Sequence, residues 1–198
     1  MPKLTIDDIA DLRAYERERD QFRQRVIALK RDRRVAVGPV VTLVFENSDT
    51  VRFQIQEMAR AERILTDEAI QTELDVYNPL IPDPGELSAT LFIELTDPER
   101  MRQWLPRLVG IERSVVLRVG DPATEARSIP EEGHAAQLTR EEITASVHYV
   151  RFSLTPDQVE AFAAGPVVLA VDHPEYQEAT TLGEETRRAL LVDLRQGG

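Results

Sequence analysis

The chain has 198 residues, no cysteine and a formal net charge of −11, with 42% hydrophobic and 30% charged residues. That length supports one sizeable core, and the missing thiols exclude disulfides, thiolate metal sites, cysteine nucleophiles and any iron–sulfur cluster held by the chain's own cysteines. The acidic balance argues against DNA as a partner, no apolar run is long enough to span a membrane, and the amino terminus lacks the apolar stretch of a signal peptide, so export by that route is not expected.

Charge is unevenly spread. Residues 1–34 hold ten basic and seven acidic residues, whereas the remainder holds 14 basic and 28 acidic. Thr5, with Asp7 and Asp8 behind it, reads as an N-cap, and Ile9, Leu12, Tyr15, Phe22, Val26 and Leu29 recur at helical spacing. These predict one long helix over residues 6–34, packed on the body or projecting from it, with residues 35–198 as a single domain. The stripe Ile9–Leu29 would also serve a helical homodimer. Lys30, Arg31, Arg33 and Arg34 at its end offset the helix dipole, or offer a contact for an anion or an acidic partner.

Val35–Val37 and Val40–Phe45 read as two short strands around a turn at Gly38-Pro39, or as one bulged strand. Asn47, Ser48 or Asp49 then caps a helix with Val51, Ile55, Met58 and Leu65 on its apolar side, and Thr66-Asp67-Glu68 starts a second helix through Ile70, Leu74 and Tyr77. Ser88–Leu95 is a strand, followed by a Thr96-capped, proline-started helix and a strand at Ser114–Val119. Residues 120–142 read as a polar loop with one helical turn after Thr139. Ser146–Leu154 alternates, placing His148, Val150 and Phe152 on one face and Val147, Tyr149 and Arg151 on the other. Thr155-Pro156-Asp157-Gln158 is a capping box opening a short helix, Val167–Val171 an apolar strand, and residues 184–194 a final helix.

The pattern indicates an α+β fold, with α/β as the alternative: one mixed sheet with flanking helices, containing a duplicated strand–helix–strand unit with right-handed crossovers.

Polar residues are dense where the second strand meets its helix. Glu46, Asn47, Gln54, Glu57 and, further on, Asn78 form a candidate polar pocket; Gln56, Arg60, Glu62 and Arg63 lie in the same stretch. Imidazole and carboxylate would hold Fe, Mn or Zn without thiolate, and a set of His148, His173 and Glu57 is one such arrangement. His148 on an apolar strand face also suits a core histidine, Glu57 also suits a helix ion pair with Arg60, and His134 suits a solvated loop. No phosphate-binding glycine loop or nucleophile elbow is present.

Several blocks carry a family resemblance: Leu4-Thr5 with Asp7-Asp8; Arg25-Val26-Ile27-Ala28-Leu29-Lys30; Phe45-Glu46-Asn47 with Asp49-Thr50-Val51; Gln54-Ile55-Gln56-Glu57-Met58; Tyr77-Asn78-Pro79-Leu80-Ile81-Pro82; Val147-His148 with Arg151-Phe152; and Asp172-His173-Pro174 with Tyr176. On these the chain resembles the bacterial domain-of-unknown-function family 3501. The resemblance implies a cytoplasmic protein whose gene commonly lies near those for rubrerythrin and a cysteine-rich iron–sulfur oxidoreductase. It thus implies an accessory partner of a redox or oxidative-stress system. It brings no catalytic residues. The other reading is a small-molecule or metal-dependent enzyme built on a Glu/Gln/His pocket.

Overall fold

The computed structural model describes residues 3–131 and 143–196. His134 and the turn expected after Thr139 lie outside them. The fold is α+β, and its strands form two sheets in place of the single mixed one expected. In the first sheet β1 (Arg34–Val37), β2 (Val41–Glu46), β3 (Glu86–Ile93), β7 (Val147–Ser153) and β6 (Ile129–Pro130) lie side by side in that order. The second has the order β5 (Thr124–Arg127), β4 (Val115–Val119), β8 (Val167–His173) and β9 (Tyr176–Thr181). Every pairing is antiparallel.

The expected strand–helix–strand units are present, and each carries the chain from one sheet to the other. One unit is β3, α4 (Pro98–Trp104) and β4; the second is β7, α5 (Pro156–Ala164) and β8. Because β3 pairs with β7 and β4 with β8, the short helices span the ends of two layers and make no parallel crossover within one. α5 has the capping box of Thr155 and Gln158, whereas α4 is capped by Asp97, one residue later than expected.

A shared apolar core lies between the layers. Leu43, Phe45, Leu87, Leu91, Val150 and Phe152 of the first sheet and Leu117, Leu169 and Val171 of the second belong to it, and α6 (Glu184–Gln196) adds Leu190 and Leu194. Two features join the sheets at their edges. The segment of β5 and β6 passes from the second sheet into the first. On the other side, Tyr176 donates its hydroxyl to Val37 O at 2.6 Å and accepts from Val40 N at 3.3 Å. Gly38, at φ +69°, permits this approach: a Cβ there would lie 2.4 Å from the Tyr176 hydroxyl oxygen.

The long helix expected over residues 6–34 is shorter and begins later. Thr5 caps a single 3₁₀ turn, Ile6–Asp8. The chain then breaks, and α1 (Leu12–Arg31) starts at a second cap, Asp11, whose carboxylate accepts from Arg13 N and Ala14 N. Tyr15, Phe22 and Val26 are buried, with Phe22 edge-on to Phe53 of α2 (Ser48–Glu62), so this stripe packs within the chain itself. Asn47 caps α2 and Thr66 caps α3 (Asp67–Tyr77), as the sequence indicates, while Leu65 is exposed in the break between them.

Three strands fall where none was expected. β5 and β6 replace part of the predicted loop, and β9 pairs with β8 through polar residues such as Gln177 and Glu178. None of them has the apolar alternation that announces a strand.

Candidate functional site

The second face of the first sheet is the polar one. Alternation along β2, β3 and β7 turns Glu46, Thr90, Phe92, Val147 and Tyr149 away from the inter-sheet core, and the register sets Thr90 opposite Tyr149. α2 and the turn after α3 lie over this face, placing Thr50, Val51, Gln54, Tyr77 and Leu80 against it. Lys30, in the last turn of α1, completes the lining. The cavity measures about 170 Å³.

Glu46 is its central feature. The residue is 8% exposed, and its Oε1 accepts from the Thr90 hydroxyl at 2.7 Å. No Lys or Arg lies within ion-pair distance of it among the described residues. A buried carboxylate ordinarily has a cationic partner, since desolvation costs several kcal/mol. Lys30, half-buried in the same lining, also lacks an ion-pair partner among the described residues. Burial pushes the Tyr149 hydroxyl up to about 12, with Tyr77 and the Glu46 carboxylate adding to the rise. Tyr77 is raised likewise by burial, against a hydrogen bond with Gln54 that lowers it. Both phenols are therefore protonated near neutrality, and the cavity combines hydroxyl donors, one carboxylate and one ammonium.

The other residues singled out in the sequence serve the scaffold. Asn47 accepts from Thr50 N at 3.0 Å as the α2 cap. Asn78 exchanges two hydrogen bonds with the Leu4 backbone, each 2.9 Å, and Gln56 does the same with Ala10 at 2.8 and 3.1 Å. Two carboxamides thus fasten the segment before α1 onto α2 and α3. Glu57 faces α1: it takes both Arg19 nitrogens at 2.8 Å and the Tyr15 hydroxyl at 2.7 Å. Its carboxyl is held down to about 2, chiefly by the Arg19 hydrogen bonds. Arg60, the neighbour expected to pair with it, stands further off at 3.8 Å.

The histidines do not join them. His148 faces the inter-sheet core, on the side of the sheet opposite Glu46, and its Nε2 lies 2.8 Å from Thr144 Oγ1 and 2.9 Å from Ala145 O. Burial holds its pKa below the usual histidine value, against the pull of Glu112. His173 ends β8 in the other sheet, donating from Nε2 to Val109 O at 3.1 Å and accepting Glu175 N on Nδ1 at 3.2 Å. His148, His173 and Glu57 therefore lie on three different surfaces, and no group of three metal-ligating side chains occurs among the described residues.

The basic cluster also separates. Arg33 is buried in a bidentate pair with Asp193 at 2.6 and 2.9 Å, so it is not available to an outside anion. It ties the start of β1 to α6. Arg34 pairs with Glu94, Arg31 lies exposed beside Asp32, and Lys30 turns to the cavity.

The similarity to known proteins extends over almost the whole chain. The model of a family described as "Protein of unknown function (DUF3501)" matches residues 3–194. The chain belongs to that family. A crystal structure described as a novel protein of unknown function from Burkholderia pseudomallei K96243 is 40% identical, with a TM-score of 0.89, and the match covers 98% of this chain and 100% of that one. No curated protein matches. The family blocks place Glu46, Thr50, Val51, Gln54, Tyr77, Leu80, Val147 and Lys30 in the cavity lining. Thr90, Phe92 and Tyr149 lie outside those blocks. Of these, Tyr149 had a signal in the sequence, the alternation that set it on the face opposite His148.

Proposed function

We propose that this chain binds a small polar organic molecule in the cavity between α1, α2 and the first sheet, with Glu46 as the residue that holds it. One observation carries the reading: a carboxylate buried in a cavity wall, hydrogen-bonded by a threonine hydroxyl, with no cation of the chain's own described residues beside it. Such a group is costly to the fold, and a ligand that completes its partners offsets that cost on binding. Gln54, Tyr77 and Tyr149 supply directional polar groups, as small-molecule sites do with a few such groups in an otherwise apolar wall, while Thr90 holds Glu46 in place. An accessory role beside a redox system has its support in the family resemblance, and ligand binding has its support in the cavity.

Equilibrium dialysis against a mixed pool of small polar metabolites, read by mass spectrometry, tests the proposal. The wild-type chain should concentrate at least one compound. Val147→Trp, which fills the cavity from its wall, should concentrate none while keeping the far-ultraviolet circular dichroism of the parent. Equal retention by both proteins, or no retention by either, overturns it.

A further inference from the structure

We infer that the ligand is a small zwitterion carrying a protonated amine and a carboxylate, an inference that rests on the cavity being a binding site. Glu46 and Lys30 line one cavity from different elements, β2 and the last turn of α1. They do not lie within ion-pair distance of each other, and neither has another ion-pair partner among the described residues. A ligand with one charge answers one of them and leaves the second uncompensated. A ligand with an ammonium and a carboxylate answers both.

The walls fit the cationic end. Phe92, Tyr77 and Tyr149 present three aromatic rings to a cavity that also holds the Glu46 carboxylate, and an ammonium gains from ring faces and carboxylate alike. The phenols, protonated near neutrality, donate to the anionic end and do not repel it. Size sets the scale: about 170 Å³ is room for roughly six waters at ~30 Å³ each. An unbranched amino acid of similar or slightly greater heavy-atom count is accommodated, whereas a nucleotide is not.

Titration calorimetry of the full chain near pH 7 with three probes of matched length separates the contributions: δ-aminovalerate, n-pentylamine and valerate. δ-Aminovalerate should bind about tenfold tighter than either singly charged probe. Lys30→Met should bring δ-aminovalerate to the level of pentylamine, and pentylamine, freed of a like charge, should bind no more weakly than to the parent. Glu46→Gln should weaken both amines by about tenfold or more, and valerate, freed of a like charge, should bind no more weakly than to the parent. Pentylamine or valerate binding as tightly as δ-aminovalerate overturns the zwitterion assignment, and so does a Lys30→Met variant with undiminished δ-aminovalerate affinity. Absence of binding by all three probes at millimolar concentration also overturns it. In each of those cases the dialysis result still decides separately whether the cavity takes a ligand.

Discussion

The two faces of the first sheet differ in kind although the same strands build both. Toward the second sheet the side chains of Leu43, Phe45, Leu87, Leu91, Val150 and Phe152 meet a dry apolar layer. Toward α2, the residues between them include Glu46, Ser88, Thr90, Tyr149 and Arg151. One face is closed by another sheet, whose side chains share its core. The other is covered by helices, whose separate stripes leave the gap that becomes the cavity. The apolar core lies on the first face and the polar cavity on the second.

Truncation should break that contrast most visibly. Phe152→Ala removes a fully buried ring from the inter-sheet core and should cost about 3–5 kcal/mol in denaturant unfolding. Tyr149→Phe, three positions earlier and on the opposite face, should cost only about 1 kcal/mol, the contribution of a hydroxyl hydrogen bond. Similar losses for the two variants would show that the helix-covered face supports the fold as much as the core does.

Acid sharpens the comparison on the helical side. Glu57 titrates at about 2 in the folded chain, well below the ordinary 4.5. Its contribution is therefore complete above about pH 4.5 and disappears as pH falls towards 2. Glu57→Gln should flatten that part of the stability profile, measured by thermal unfolding across the same pH range. Profiles of identical slope would mean that the Arg19–Glu57 pair does not hold α1 to α2.

The smallest expected effect is the most diagnostic of function. Glu46→Gln removes a buried carboxylate that has no ion-pair partner among the described residues and keeps the side-chain shape, so stability should change by less than about 1 kcal/mol or rise slightly. A loss above about 2 kcal/mol, of the size expected when a buried polar group loses its partner, would make Glu46 a structural residue and remove the cavity's claim to a ligand.

The sequence by itself determined the parts of this protein that depend on near neighbours. The caps at Asn47, Thr66 and Thr155, the proline-started helices and the alternation of β7 all operate within a few residues, where backbone hydrogen bonding and side-chain period are local properties. The α+β class follows from them, while the pairing of β1 with β2, one of two readings that Gly38-Pro39 allows, was decided by the structure. Tertiary structure decided what depends on residues far apart. β9 has a polar edge and exists because β8 offers it a ladder; the division into two sheets follows from where the short helices land. Arg33 looked like surface charge until Asp193, 160 positions away, enclosed it, and Glu57 found Arg19 across α1 in preference to its own helix. The cavity belongs to this second group. Its residues come from α1, β2, α2, α3 and the turn after it, β3 and β7, and only the packing of helices on one face of a sheet sets around a common space a carboxylate and an ammonium that have no ion-pair partner among the described residues.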